Sequence, residues 1–365
     1  MVLKKSPVVK LYPKVIVLMD MPLFPYRIYA YNVLAKRGYD LTVVSTSEED
    51  VRYPVMMSFK HIRLARERRG AFVKLKGFSN IDLNAYDVII FAFNLRYVDY
   101  YQLFKKKYSK RIIAWGHMRG HSEDNALAQK LRIRLSERLP AIIFYDYATC
   151  EEFKKAGFDE NKLFVANNTQ YVNPATVARE LKKTYFLYVG RIQERKGLDL
   201  ALEAFAILKK KNPASNVHFK IVGGGDACSL QSLAAKLDIT DCVEFDGPIH
   251  DEDKLGTVFS HAIAYVSPGH VGLGVLHSFA FGVPVITCSG RRHSVEFSNI
   301  NEKNGSVVPY DKQSLYIAME QYCFNKDYRK QKAEAAYRYY NDYCTIDNMV
   351  NGIDGAIKHT LCGII

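Results

Sequence analysis

Apolar residues recur along this chain in two alternating rhythms. Short runs such as Val15-Ile16-Val17-Leu18-Met19 and Leu41-Thr42-Val43-Val44 have the length and β-branched content of strands buried on both faces. Between such runs, apolar residues fall three and four apart, the spacing of a helix with one buried face. The first of these helical stretches is Arg27–Arg37. Further strands are predicted at Val88–Ala92, Ile112–Trp115, Ala141–Phe144 and Leu163–Ala166. The less regular segment Asp50–Lys76 leaves room for extra short strands. Strand and helix in alternation predict a parallel sheet covered by helices on both faces.

After Asn173-Pro174 the alternation starts again, with strands predicted at Phe186–Val189, Val217–Val222, Cys242–Phe245, Ala262–Val266 and Val283–Ile286. Two such runs, separated by a polar stretch near 170–184, predict an α/β protein of two Rossmann-like domains, residues 1–172 and 173–344. Beyond Thr345, a suitable N-cap, a stripe runs through Ile346, Met349, Val350, Ile353, Ala356 and Ile357. It predicts an amphipathic helix over 345–365 that must pack on something.

A length of 365 residues allows two cores, and 48% hydrophobic with 24% charged residues is the make-up of a soluble globular protein. No stretch approaches the roughly 20 apolar residues that span a bilayer. The opening MVLKKSPVVKLYPK has charges but no apolar core of signal-peptide type. Seven scattered cysteines without CxxC pairs read as reduced thiols of a cytoplasmic protein. Charge is one-sided: residues 1–150 hold 26 Lys and Arg against 13 Asp and Glu, while residues 151–365 balance at 25 each. The densest basic patches are Arg63–Arg69, Leu95–Arg111 and Leu127–Leu139. They suit an anionic partner, which could be a membrane surface, a lipid phosphate or an acidic glycan. Nucleic acid would suit the charge alone, but no nucleic-acid motif accompanies it.

Three loops at predicted strand ends carry the chemistry. In Tyr185–Gly197, YFLYVGRIQERKG, the strand stops at Gly190 and two cations, Arg191 and Lys196, precede a helix marked by Leu198, Leu202, Phe205 and Leu208. Open α/β sheets bind ligands at the carboxyl ends of their strands, and helix amino ends favour phosphate. The second loop is Gly223-Gly224-Gly225-Asp226, where glycine permits close backbone approach. The third, Ser267–His277, is glycine-rich and opens a short helix whose free N–H groups would face a ligand. Together they predict a phosphate-bearing nucleotide ligand. Asp251-Glu252-Asp253 has the form of a metal-binding DxD, but it begins a predicted helix, where acidic residues are favoured anyway.

With these motifs in order, residues 185–310 resemble the donor-binding half of a retaining glycosyltransferase of family 4. The motifs are VGRIQERKG, FKIVGGGD, VEFDGPI, YVSPG…GLG, SFAFGVPVI, and Glu296 ahead of the NGSVVP turn at Asn304–Pro309. The first half matches more loosely, through Arg27–Val44, Trp115–His117 and Val165–Thr169. The resemblance implies a GT-B fold, two Rossmann-like domains facing across a cleft, with the last helix crossing back to the first. It implies transfer of a sugar from a nucleotide-diphosphate donor, a UDP- or GDP-sugar with UDP slightly favoured, to a glycan or lipid-diphosphate-linked acceptor. No metal is expected. Arg191 and Lys196 would meet the pyrophosphate, and His117 would face the transferred sugar. Gly190, Gly224, Asp226, Gly272, Leu273, Gly274, His277 and Glu296 would complete the donor site. The expected place is cytoplasmic, with room for peripheral attachment to the inner membrane face through the basic half.

The chain departs from the family pattern where a Glu-x7-Glu pair is usual: those places hold Gly269 and His277. The β1 loop, Met19–Pro25, also lacks the usual glycines. Two rivals follow. One is a nucleotide-sugar epimerase of the same fold, for which no paired acid and base carboxylates stand out. The other is a non-catalytic binding or scaffold subunit.

Overall fold

A computed structural model describes residues 12–46, 55–116, 126–172 and 182–364. The chain divides into two compact units, Met1–Asn167 joined by Ile346–Ile365, and Asn168–Thr345. The division thus falls after Asn167, ahead of the boundary at 172 read from the polar stretch.

The first unit begins with β1 (Lys14–Leu18), α1 (Pro25–Lys36), β2 (Asp40–Thr46) and β3 (Lys60–Leu64). A hairpin of β4 (Arg66–Arg69) and β5 (Phe72–Leu75) follows. Then come β6 (Val88–Ala92), β7 (Ile112–Trp115), α2 (Ala126–Ser136), β8 (Ala141–Phe144), α3 (Tyr147–Lys155) and β9 (Leu163–Val165). Seven strands form a parallel sheet in the order β3-β2-β1-β6-β7-β8-β9, in register at Val15 with Leu41 on one side and Val88 on the other. Val15, Ile16, Ile89, Ile90 and Ile113 are wholly buried, as a sheet covered on both faces requires. Pro25 opens α1, where its missing N–H costs nothing. Asp146, unassigned from sequence, caps α3 by accepting from the Thr149 N–H at 2.8 Å. The irregular segment before Lys76 supplies β3 and the β4–β5 hairpin.

That hairpin draws the basic patches together. The Val73 N–H donates to the Arg96 carbonyl at 2.8 Å, and the Arg66 charge acts on Tyr97. Burial and the neighbouring Arg96 pull Arg132 of α2 below the usual arginine range. Residues from all three patches are therefore neighbours.

The second unit contains β10 (Tyr185–Val189), α4 (Leu198–Lys211), β11 (His218–Val222), α5 (Cys228–Lys236), β12 (Val243–Asp246) and α6 (Glu252–Ser260). It continues with β13 (Ala262–Val266), α7 (Gly274–Ala280), β14 (Val285–Cys288), β15 (Gly305–Val308), α8 (Lys312–Phe324) and α9 (Lys326–Tyr343). Its parallel sheet runs β12-β11-β10-β13-β14-β15. The last strand corrects the sequence reading. Asn304–Pro309 was expected as a turn, but Gly305–Val308 pair with Val285–Cys288 along the edge of the sheet.

Helix α10 (Ile346–Cys362) belongs to the first unit. Met349, Val350, Ile353, Ala356 and Ile357 are fully buried among Val15, Val17, Ile28 and Leu34. Gly352 lets the helix lie against β9, because a Cβ there would sit 1.9 Å from the Val165 carbonyl oxygen. Asp354 accepts from the Tyr39 hydroxyl at 2.6 Å and from Lys358 at 2.7 Å. Among the described residues, no helix is long and apolar enough to cross a membrane.

Candidate functional site

In the second sheet the chain leaves β10 in one direction and β13 in the other, so the crevice at their carboxyl ends is the topological switch point. Three loops meet there, and the backbone itself ties them. Gly190 and Gly223 lie at φ 151° and 153°, and a Cβ on Gly223 would come 1.8 Å from the Gly190 carbonyl oxygen. The Ile192 N–H donates to the Gly224 carbonyl at 2.8 Å. On the other side, Gly269 and His270 donate their N–H groups to the carbonyls of Lys196 at 2.9 Å and Arg195 at 2.7 Å. Two strand tyrosines brace the assembly from below. The Tyr188 hydroxyl donates to the Arg191 carbonyl at 2.8 Å, and that of Tyr265 to the Val189 carbonyl at 3.1 Å.

Within this frame Lys196 Nζ donates to the His270 carbonyl at 2.7 Å. Burial, reinforced by Arg195, brings its ammonium down to about 8, against the opposing pull of Glu296. The Arg191 guanidinium is exposed and engages no described residue. The N–H groups of Gly272, Leu273 and Gly274 have no acceptor among the described residues, while their neighbours Val275 to His277 donate back to Gly272 and Leu273. Burial and the charges of Lys196 and Arg195 hold His270 below the usual imidazole range. Its buried Nδ1 has no partner among the described residues.

Two residues given no role from sequence support the site, His293 under the third loop and Asn168 at Glu296. His293 Nε2 contacts the Cys288 carbonyl at 2.8 Å, which can only accept, so this nitrogen carries the proton. Its Nδ1 then accepts from the Val271 N–H at 3.4 Å. Asn168 donates to Glu296 Oε1 at 2.5 Å, and Ser294 donates to Oε2. Glu296 is accordingly 2% exposed, with both oxygens engaged, yet close enough to Lys196 to act on its charge. No sequence signal marked His293, and Asn168 lay in the Val165–Thr169 match without a role, since its partner Glu296 stands 128 residues away.

The remaining expected site residues fall as follows. Gly190 and Gly224 stand in the joined loops. Asp226, exposed, accepts from the Cys228 N–H at 2.9 Å at the start of α5. His277 closes the third loop, its N–H donating to the Leu273 carbonyl at 3.1 Å. Its ring lies 4.8 Å from Phe259 and 5.4 Å from Phe281, and Nε2 stands 3.5 Å from Glu252 of α6. Here α7 turns the imidazole toward the core, between two phenyl rings. Gly269, in the other variant place, has no room for a side chain, as a Cβ would sit 2.2 Å from the Arg195 carbonyl oxygen. Asp251 caps α6 through the N–H groups of Asp253 and Lys254, both at 3.0 Å. Among the described residues no group of three or more His, Cys, Asp or Glu is placed to hold a metal. His117 lies outside the described residues.

Two doubly wound α/β domains, with a helix following the second that returns to the first, make this a GT-B fold. Residues 172–339, nearly all of the second unit, match the family of glycosyl transferases group 1. Among solved structures, sucrose-phosphate synthase from Thermosynechococcus elongatus superposes with a TM-score of 0.68 at 17% identity, covering 96% of this chain and 99% of that one. HepE of Anabaena, solved in complex with UDP-glucose, gives 0.63 at 13% identity, covering 94% and 99%. In sequence, D-inositol 3-phosphate glycosyltransferase of Streptomyces avermitilis is 36% identical over 114 residues, 28% of this chain. The chain spans 24% of the length of that relative.

Proposed function

We propose that the protein is a glycosyltransferase that moves a sugar from a nucleotide diphosphate, UDP by preference, to a glycan or lipid-linked acceptor with retention of configuration. The observation that carries this reading is Lys196, a cation held by the His270 carbonyl beside the free N–H groups of Gly272–Gly274 at the switch point. Breaking a sugar–phosphate bond builds negative charge on the departing diphosphate. Preorganised donors aimed at that charge lower the barrier without any reorganisation at the moment of reaction. Arg191, exposed and unengaged, would close over the same phosphates, and the reading requires no metal ion. The acceptor hydroxyl would attack from the face the phosphate leaves, with His117 orienting the sugar. The match to glycosyl transferases group 1 and the UDP-glucose bound by HepE support this reading. The basic first unit supports an anionic or membrane-borne acceptor.

One observation favours a second reading, a non-catalytic binding subunit. The two places where family 4 carries glutamates hold Gly269, closed against Arg195, and His277, turned into the core.

A thermal-shift titration with UDP-glucose and GDP-mannose, run beside Arg191→Ala and Lys196→Ala, separates them. A ligand at 100 Kd adds about 2.7 kcal/mol to stability. Each substitution should remove a charge-assisted contact of about 1.5–3 kcal/mol, a loss of roughly tenfold to more than a hundredfold in affinity. Stabilisation by one nucleotide class, weakened in both variants and followed by sugar transfer, bears the proposal out. Stabilisation without transfer or hydrolysis favours the binding subunit, and no shift at all sinks the donor site.

A further inference from the structure

Between β14 and β15 the chain sends one side chain under the glycine-rich loop. His293 stacks flat on Phe297, with ring centroids 4.2 Å apart and planes 7° from parallel. Its Nε2–H donates to the Cys288 carbonyl at 2.8 Å, at the carboxyl end of β14. Nδ1 therefore keeps its lone pair and accepts from the Val271 N–H at 3.4 Å. Cys288 and Val271 are both fully buried, so the imidazole bridges the end of an inner strand to the loop.

The contact falls at a turning point of the backbone. Gly269 and His270 are tied to the first loop by their N–H groups, and Gly272, Leu273 and Gly274 follow with theirs free among the described residues. Val271 stands between the two sets. A Cβ on Gly272 would meet nothing within 4 Å, so packing does not hold that position. The direction of the free N–H groups depends instead on how the chain leaves Val271. Lys196 and His270 face the ring from the first and third loops, and Arg291, Arg292 and Glu296 neighbour it on its own segment. Burial, with the Lys196 charge, holds the imidazole below its usual range against the Cys288 hydrogen bond.

We propose that His293 is a positioning residue that aligns the phosphate-facing N–H groups of Gly272–Gly274 only while its ring is neutral. A proton on Nδ1 turns the acceptor into a second donor, set against the Val271 N–H, and the loop must move away. A bound diphosphate favours added positive charge nearby, but this proton stands under the loop, where it opposes the backbone that would meet the phosphates. The effect on the loop follows from the ring alone, and the effect on nucleotide rests on the donor reading above.

The test measures UDP-glucose affinity by calorimetry between about pH 5 and pH 7, where imidazoles titrate and this diphosphate diester keeps its charge. Wild-type affinity should fall roughly two- to tenfold toward the acid end, the worth of one hydrogen bond. His293→Gln, whose amide donates and accepts without titrating, should keep the neutral affinity and lose the acid fall. His293→Phe, which preserves the stack on Phe297 and neither hydrogen bond, should bind weakly throughout. Hydrogen exchange of the peptide 268–276, corrected for its intrinsic dependence on pH, reads the loop without nucleotide and needs no variant. Its protection in the wild type should drop as the ring takes its proton. An acid fall that persists in His293→Gln, or wild-type protection indifferent to pH, overturns the proposal. Binding with a flat profile keeps the donor site and removes the role of His293. The expected exchange with no binding at any pH keeps that role in the loop and removes the donor reading.

Discussion

Lys196 is the residue whose chemistry depends most directly on its surroundings. Burial and Arg195 bring its ammonium down to about 8, far below the 10.5 of a free lysine side chain. Between those values the unfolded chain binds the proton more tightly than the native one, so this group adds to stability as pH rises through that window. Nucleotide binding should move the opposite way, because only the charged form pairs with phosphate. UDP affinity measured by calorimetry should therefore fall as pH passes about 8. In Lys196→Arg, whose side chain stays charged throughout, the fall should disappear; an unchanged profile would separate Lys196 from the phosphates. The sequence marked Lys196 and Arg191 because a glycine ends an apolar run just before them, a signal that is local. It gave no view of the packing of His277, whose neighbours Phe259, Phe281 and Glu252 come from other positions along the chain. Arg27, buried in α1, likewise gains the Trp115 and Tyr145 rings as neighbours only through the fold.

Helix α10 shows how an element can be legible while its destination is not. The stripe from Ile346 to Ile357 announces one buried face, but nothing in it says that β9 and α1 receive that face. Gly352 is the point of closest approach. Gly352→Ala would bring a methyl within 1.9 Å of the Val165 carbonyl oxygen, so the helix must shift and its apolar stripe lose register with the core. Overpacking of this kind costs about 1–3 kcal/mol, and the thermal midpoint should fall accordingly. Gly363→Ala, where the nearest atom to a new Cβ is 3.6 Å away, should leave it unchanged. Equal melting of both variants would mean that α10 bears no tight contact. Elsewhere the central strands were plain from their apolar runs, whereas β15 and the β4–β5 hairpin were not. Gly305–Val308 is an edge strand with one partner, and Arg66–Arg69 is polar along its length, so neither carries the pattern of a strand buried on two faces.

At the scale of the whole molecule the charge is divided as sharply as the fold. The excess positive charge of residues 1–150 gathers where the β4–β5 hairpin, Arg96 and α2 meet, with Phe72, Leu131 and Ile133 exposed among the cations. Basic and apolar groups together suit an anionic bilayer surface, where each Lys or Arg near the headgroups contributes about 1 kcal/mol. Flotation with vesicles containing phosphatidylserine should show binding that fades as salt shortens the Debye length below about 8 Å. Phosphatidylcholine vesicles should not bind, and Arg68→Glu with Arg69→Glu should weaken the interaction about tenfold or more. Binding to both lipids alike, indifferent to salt, would remove the membrane from the picture. The return of α10 to the first unit has a different consequence, one in time. During synthesis the first sheet emerges early but lacks five fully buried side chains of its core until α10 leaves the ribosome. The second unit is one unbroken segment, Asn168–Thr345, and is whole before that moment. The nascent chain thus reverses the usual amino-to-carboxyl order of domain folding: the later-made domain closes first, and the earlier one waits for it.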